Sequence, residues 1–158
     1  MEFKLASTYV ELYQTYNIIT KLEESYPDFK NWYWNKVVPG VVLGNDKIIL
    51  GSVRNELVGI SIIKNENNEK KIRALRIEDR FQNKGYGIGM IDKSLELLNC
   101  DKPLVSVSED LLHHYSRMFI NRFNFDMSYV HKNMYKNGKL EYQFNGNVDS
   151  LKTKSFPY

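Results

Sequence analysis

The chain has 158 residues, of which 42% are hydrophobic and 26% are charged, as in a soluble globular protein. Aromatic residues make up 13% of it, which excludes a disordered chain because such chains contain few aromatics. The formal net charge of +3 permits a preference for an anionic ligand but gives no reason to expect a nucleic-acid partner.

The sequence contains a single cysteine, Cys100, so no internal disulfide can form and a reducing cytoplasm fits the composition. Residues 1–5 lack the apolar run of a signal peptide. No stretch reaches the ~18 consecutive apolar residues that a membrane span requires. We therefore expect one cytoplasmic domain over residues 1–158 that does not bind a membrane. The oligomeric state stays open, and a homodimer is one alternative.

The start of the chain predicts a strand and a helix. Residues 3–6 are strand-like, and Thr8 and Glu11 have the spacing of a capping box. Apolar residues then recur at a helical spacing as far as Leu22. Pro27 marks the end of that region.

Turns and hairpins follow. Residues 29–34 have no clear period and fit either a short helix or an ordered loop. Pro39-Gly40 and residues 44–46 indicate turns. Three strand-like runs with short polar connections, typical of antiparallel hairpins, come next: residues 47–53, 57–64 and 71–77.

The second half of the chain predicts a strand–helix–strand crossover followed by another helix and a hairpin. Residues 71–107 form the crossover, with parallel strands at its two ends. Ser108 is expected to cap the next helix, and Asn124 to end it in a left-handed conformation. Its buried face consists of Leu112, Tyr115, Phe119 and Phe123. Residues 125–131 and 140–144 are the last strands, joined across Asn137-Gly138.

Between the third hairpin strand and the following helix, the segment Gln82-Asn83-Lys84-Gly85-Tyr86-Gly87 has the chemistry of an anion site. The first N–H groups of a helix lack internal partners and favour anions. Gly85, Gly87 and Gly89 remove side chains that would hold a phosphate away from the backbone. Lys84 adds a positive charge.

The segment differs from two other phosphate-binding motifs. A P-loop requires Gly-Lys-Ser/Thr after a glycine and four residues, which the sequence lacks. A dinucleotide fingerprint requires G-x-G-x-x-G, whereas the glycines here are spaced Gly85-x-Gly87-x-Gly89. A tight turn that binds nothing is the remaining alternative.

The segment resembles the motif Gln/Arg-x-x-Gly-x-Gly/Ala of the GNAT superfamily of acetyl-CoA-dependent N-acetyltransferases, and residues 82–87 match it fully. Phe123-Asn124-Phe125 is similar to the family's Leu-Gly-Phe, with Asn in place of Gly. The order of predicted elements matches along nearly the whole chain. The resemblance implies an α/β (α+β) fold with a mixed central sheet of about six to seven strands, splayed at its centre and flanked by about four helices.

The resemblance also implies where acetyl-CoA would bind. The loop and the following helix start would hold the pyrophosphate, and the strand around Ile77 would pair with the pantetheine arm through main-chain groups. The arm would lie where this strand and residues 104–107 splay apart. The residues implied as cofactor-binding are Ile77, Gln82, Asn83, Lys84, Gly85, Tyr86, Gly87, Ile88, Gly89 and His113.

Catalytic residues are less clearly indicated. The family often places a tyrosine acid where this chain has Ile120. Tyr115 could act as the acid in its place, and the alternative is that Tyr115 is an aromatic residue of the core. Glu109 and Glu78 follow the two splayed strands and could accept the amine proton. Glu109 is equally explained as a first-turn helix carboxylate, and Glu78 as a surface residue.

Trp32 and Trp34 occupy the region where the family forms part of its acceptor pocket, and their alternative role is to anchor the first helices. No cluster has metal-ligand spacing, so acetyl-CoA as acetyl donor is the only cofactor expected. The predicted activity is transfer of its acetyl group to a primary amine of a small molecule or protein. A non-catalytic acetyl-CoA or CoA-binding module is the main alternative.

Overall fold

The structure is a computed structural model that describes residues 1–146. In that range seven strands form two antiparallel sheets, with strand orders β1-β2-β3-β4 and β5-β7-β6. The strands are β1 (Glu2–Leu5), β2 (Asp46–Val53), β3 (Glu56–Glu66), β4 (Glu69–Ile77), β5 (Val105–Ser108), β6 (Met127–Lys132) and β7 (Leu140–Phe144). The prediction of one domain over residues 1–158 stays a prediction, since residues 147–158 lie outside the described part.

Four helical segments accompany these strands among the described residues. They are α1 (Tyr9–Ile19) with a 3-10 turn at Thr20–Glu24; α2 (Phe29–Trp32) and α3 (Val38–Leu43), joined by a π turn at Tyr33–Val37; α4 (Tyr86–Leu98); and α5 (Glu109–Arg117) with a π turn at Met118–Arg122. A further 3-10 turn covers Asp79–Phe81. Within residues 1–146, no helix is both long and apolar enough to cross a bilayer.

Local sequence explains most of these boundaries. The capping box of α1 is confirmed, because Thr8 Oγ1 accepts from the Glu11 N–H and the Glu11 carboxylate accepts from the Thr8 N–H. Arg54 and Asn55 both have a positive φ, which suits the tight turn between β2 and β3. Asn124 follows α5 with φ 54°, as predicted.

Three local predictions were wrong. Pro39-Gly40 does not form a turn but lies inside α3, which continues directly from the π turn at Tyr33–Val37. The Ser108 side chain does not cap α5. The β6–β7 connection is the seven-residue segment 133–139, so Asn137-Gly138 is only part of it.

The two sheets meet at one end of β4 and β5. Lys71 and Leu104 form a parallel bridge, in which the Ile72 N–H donates to the Leu104 carbonyl at 3.0 Å. Beyond this bridge the two strands belong to different sheets. The predicted α+β architecture with splayed central strands is therefore confirmed, and the mixed sheet is divided in two by the splay.

A β-bulge at Arg73 shapes the strand beside this splay. Ile72 and Ala74 pair with consecutive residues of β3, which leaves Arg73 without a register partner. Its Nη1 donates to both oxygens of the buried Asp46 carboxylate, each at 2.8 Å. The bulge is therefore fixed from outside its own strand pair, by the first residue of β2.

Two hydrophobic clusters cover the sheets. One packs α4 and α5 against both sheets and includes Ile72, Ile91, Val107 and Phe119. The other packs α1, α2 and α3 against the opposite face of the first sheet and includes Ile19, Phe29, Tyr33 and Ile60. The splayed strands β4 and β5 therefore lie beside both helical layers.

We expect Asp46→Ala to lower the free energy of unfolding by about 3 kcal/mol, because it leaves a largely buried Arg73 without its partner. Asp126→Ala is the matched control, because the Lys102–Asp126 pair is exposed and should contribute at most about 1 kcal/mol. Urea denaturation of both variants measures the difference. Equal losses would show that Asp46 does not fix the bulge.

Candidate functional site

The glycine loop connects the end of β4 to the start of α4. Asn83 has φ 59° and Gly85 has φ 84°, so the chain turns twice through the left-handed region before the helix begins at Tyr86. No side chain caps this helix start. Its first N–H groups therefore lack a side-chain acceptor and are available to an anion.

Side chains below the loop fix its shape. Gln82 Nε2 donates to the Ile77 carbonyl at 3.0 Å and to Asp79 Oδ1 at 3.1 Å. Asp79 also pairs with Lys21, at 2.6 Å, and with Arg76. Gln82 therefore ties the loop to the end of β4, which is a structural reason for glutamine at the first motif position.

Other residues of the loop face outward. Gln82, Asn83, Lys84 and Gly85 are exposed, and Lys84 Nζ lies 5.6 Å from the centre of the Phe81 ring. Tyr86 packs edge-on against the same ring, at 6.1 Å. The positive charge of Lys84 is thus held beside the helix start.

The glycines of the loop differ in what surrounds them. A Cβ on Gly87 would come no closer than 3.9 Å to another side chain, that of Ile77, so it would make only an ordinary contact there. A Cβ on Gly89 would approach Met1 at 2.9 Å, so this glycine permits close packing of α4 on the N-terminus. Gly85 is required by its positive φ.

A cavity of about 460 Å³ lies between the splayed strands. Its lining includes residues 71–75 of β4 and 104–107 of β5. From the α4–α5 side it is lined by Ile91, Leu111, Tyr115 and Phe119, and from the α1–α2 side by Leu22, Tyr26, Phe29 and Trp32. The cavity therefore reaches both faces of the divided sheet, and its volume suits a small ligand.

Tyr115 lines this cavity from α5. Its ring stacks on Phe119 at 5.6 Å, and burial raises the pKa of its hydroxyl. The family's tyrosine position, Ile120, is 44% exposed and lies outside the cavity. Tyr115 thus lies at the splay, and its role as the acid stays a prediction.

The two tryptophans have different surroundings. Trp32 lines the cavity and contacts Phe29, and the Arg73 guanidinium lies 5.2 Å from the centre of its ring. Trp34 instead packs among tyrosines of α1 and α2–α3, with Tyr16 at 5.3 Å and Tyr33 at 5.0 Å. Trp34 therefore anchors the first helices, and Trp32 alone reaches the cavity.

The remaining predicted residues do not meet in the cavity. The Glu109 carboxylate accepts from the Leu140 N–H at 3.4 Å and lies 3.6 Å from Lys139. Glu78 extends the β3 pairing through its N–H, which donates to Val58 at 2.9 Å. His113 is exposed and stacks on His114 at 3.9 Å.

A buried carboxylate that sequence reasoning missed lies beside the cavity. Glu141, on β7, is 3% exposed and accepts from the Tyr26 hydroxyl at 3.1 Å. The Ser106 hydroxyl also hydrogen-bonds to it. Both partners line the cavity. In the sequence Glu141 belongs to an alternating pattern with the apolar residues Tyr142 and Phe144, which is typical of a strand whose polar side chains face solvent. The pattern alone therefore gave no reason to expect that Glu141 is buried.

Burial raises the pKa of Glu141 to about 7, against the effects of Ser106, Tyr26 and the charge of Lys71. The folded protein therefore binds more protons than the unfolded chain between pH 4.5 and pH 7. By linkage, this group lowers stability as the pH rises through that window.

We expect Glu141→Gln to become more stable relative to the parent protein as the pH rises from 5 to 8, because glutamine carries no buried charge. Denaturation at a series of pH values measures the difference. Glu109→Gln is the control for removal of a carboxylate that is not buried, since Glu109 is 33% exposed. A flat profile for Glu141→Gln would contradict burial of its charge.

Comparison with known proteins gives the fold. The sequence matches no family model and no curated protein. Among solved structures, a Desulfovibrio desulfuricans protein assigned to the GNAT family of acetyltransferases is similar, with TM-score 0.71 and 10% identity over 90% of this chain and 96% of that chain. The Escherichia coli ribosomal-protein-S18-alanine N-acetyltransferase is also similar, with TM-score 0.65 and 12% identity over 90% and 92% of the chains.

The aminoglycoside 6'-N-acetyltransferase of Enterococcus faecium aligns with TM-score 0.62 and 12% identity over 91% of this chain and 95% of that chain. At sequence identities this low, the structural similarity concerns the fold alone. The chain therefore has the fold of the GNAT acetyltransferases, and the resemblance seen in its sequence is confirmed at that level.

Proposed function

We propose that this chain is an N-acetyltransferase that transfers the acetyl group of acetyl-CoA directly to a primary amine. The observation that carries the proposal is the cavity between β4 and β5, with the glycine loop following directly from the end of β4. The cavity suits an extended acyl carrier, and the glycine loop suits the phosphates of that carrier. The names of two similar structures, an aminoglycoside 6'-N-acetyltransferase and a ribosomal-protein-alanine N-acetyltransferase, also favour an amine acceptor.

The splay supplies main-chain groups for the carrier. Where β4 and β5 diverge beyond Lys71 and Leu104, the side of β4 that faces β5 no longer has a partner strand in residues 1–146. Such groups need partners when buried. An extended pantetheine arm carries two amides and pairs with a free strand edge as a peptide does. In this proposal the pyrophosphate binds the N–H groups of residues 82–89, beside Lys84.

The chemistry requires a neutral amine, a polarised thioester and an acid for the leaving thiolate. Tyr115 is the proposed acid, because it lies in the cavity and a tyrosine hydroxyl holds its proton at neutral pH. A thiolate has a conjugate-acid pKa near ~8.5, so loss of this acid should slow turnover without stopping it.

We expect acetyl-CoA to stabilise the protein by about 2.7 kcal/mol at 100-fold its Kd, and Gly87→Val to weaken its binding at least ~10-fold. A Cβ at Gly87 makes only an ordinary contact with Ile77 in the free protein, whereas a valine side chain would occupy the position proposed for phosphate. Calorimetric titration gives the affinity, and the smaller Gly87→Ala should fall between parent and valine.

The melting temperature of each unliganded glycine variant is the control for folding. Equal affinity in parent and Gly87→Val would remove the loop from the cofactor site. Acetyl-CoA binding without CoA release in the presence of any amine class would favour the non-catalytic CoA-binding module.

Trp32→Leu should raise the KM for the amine about 10-fold and leave the KM for acetyl-CoA nearly unchanged, because Trp32 lines the α1–α2 side of the cavity. Trp34→Leu is the matched control. It should lower the melting temperature through lost aromatic packing with Tyr16 and Tyr33, with little change in either KM. Steady-state kinetics would contradict the assignment if Trp32→Leu raised the KM for acetyl-CoA instead.

A further inference from the structure

The second sheet has one apolar face and one polar face. Cross-strand partners share a face, and the pairs Ser106–Gln143 and Ser108–Glu141 thus place four polar side chains together. The opposite face carries Val107 and Phe144, which pack against α4 and α5. The polar face is therefore turned away from that core.

This polar face is not exposed to solvent. Ser108, Glu141 and Gln143 are 4%, 3% and 5% exposed. Tyr26 lies over them, and its ring packs edge-on against Tyr135 at 5.3 Å. Buried polar side chains in a folded protein normally have hydrogen-bond partners, so each side chain of this group is expected to have one.

Most of the group is satisfied. Glu141 accepts from Tyr26 and Ser106, and Gln143 Oε1 lies 3.0 Å from His131 Nε2. The exception is Ser108, whose Oγ is buried and has no hydrogen-bond partner in residues 1–146. An unsatisfied buried hydroxyl is costly, and it lies directly across the strand pair from a carboxylate.

We propose that Glu141 and Ser108 form the amine subsite of the acceptor, in which the Glu141 carboxylate receives the proton of the incoming ammonium group. The inference rests on the proposed acetyl transfer. An ammonium group offers three donors and no acceptor. An ammonium group therefore fits a site that has one carboxylate and one hydroxyl oxygen to which no other group donates a hydrogen bond.

The same surroundings indicate the class of acceptor. Tyr26, Phe29, Trp32 and Tyr135 are aromatic walls of the cavity, which suit an apolar or cationic group. Cations of the lining are held in ion pairs, since Arg73 pairs with Asp46 and Lys64 with Glu69.

One buried carboxylate balances one ammonium group, and the aromatic walls favour an apolar scaffold around it. The acceptor is therefore a monoamine on an apolar scaffold, and not a polycation.

The ammonium group gives a proton to Glu141, and the neutral nitrogen attacks the thioester carbonyl carbon. A C–N bond forms and the C–S bond breaks. The second nitrogen proton passes to the sulfur, directly or through Tyr115, so that CoA leaves as a thiol and Glu141 later releases its proton to solvent. The groups that face Glu141 are Tyr26, Ser106 and Lys71, which lower its pKa, together with Tyr135 and His131.

The test compares Glu141→Gln with Glu109→Gln, using phenethylamine as acceptor. We expect Glu141→Gln to lower kcat/KM about 100-fold or more at neutral pH, with partial recovery at pH 9, because a positioned base then matters less. Glu109→Gln should stay within a few-fold of the parent. Affinity for acetyl-CoA should be unchanged in both variants. Loss confined to Glu109→Gln would overturn the inference.

Ser108→Ala separates ligand binding from a structural role. Removing an unsatisfied buried hydroxyl should raise the melting temperature or leave it unchanged. If the hydroxyl accepts from the amine, the same variant raises the KM for phenethylamine several-fold. A variant with a higher melting temperature and the parent's KM would contradict the subsite.

The acceptor class is tested by comparing phenethylamine with spermidine in a CoA-release assay, and by calorimetry with CoA present. We expect binding and turnover of phenethylamine to exceed those of spermidine, and phenethylamine binding to weaken in Glu141→Gln. Preference for spermidine, or no phenethylamine binding by the parent, overturns the inference. Failure of acetyl-CoA itself to bind is a separate result that overturns the proposed function.

Discussion

The parallel pairing of β4 with β5 holds at Lys71 and Leu104 and is lost beyond them, and the arrangement of the candidate site depends on that divergence. A continuous ladder would satisfy the facing main-chain groups and fill the space between the strands. Because the strands part, the sheet has a cavity at its centre that reaches both faces. The same divergence leaves main-chain groups of β4 for a ligand that can pair as a strand.

The divergence is maintained by contacts on either side of it. Arg73, the bulged residue of β4, is held by Asp46 at the start of β2. On the other strand, Val105 and Val107 are buried in the core beneath α4 and α5. Neither strand can close toward the other without breaking a buried ion pair or exposing apolar surface, both of which are costly. The opening is thus a property of the folded core.

Sequence reasoning succeeded where local pattern decides structure. The hairpins β2–β4, the capping box at Thr8 and the glycine loop follow from short-range rules, and the last also carries a family motif. It failed where tertiary contacts decide. Pro39-Gly40 lies in a helix, where the glycine at position 40 permits the close approach of the Asp46 side chain. Glu141 could not be singled out, because its burial depends on Tyr26, which is distant in sequence and covers it only in the folded chain.

The two faces of the divided sheet supply different chemistry to one cavity. On the α4–α5 side, Tyr115 lies among apolar residues that contribute little charge. On the α1–α2 side, Glu141, Ser108 and Tyr26 form a buried polar group in which the Ser108 hydroxyl has no hydrogen-bond partner among residues 1–146. A thioester and an ammonium group differ in the same way, since one is neutral and the other charged. Entry from opposite faces would therefore bring each to the environment that stabilises it, and the nitrogen would meet the carbonyl carbon where β4 and β5 part.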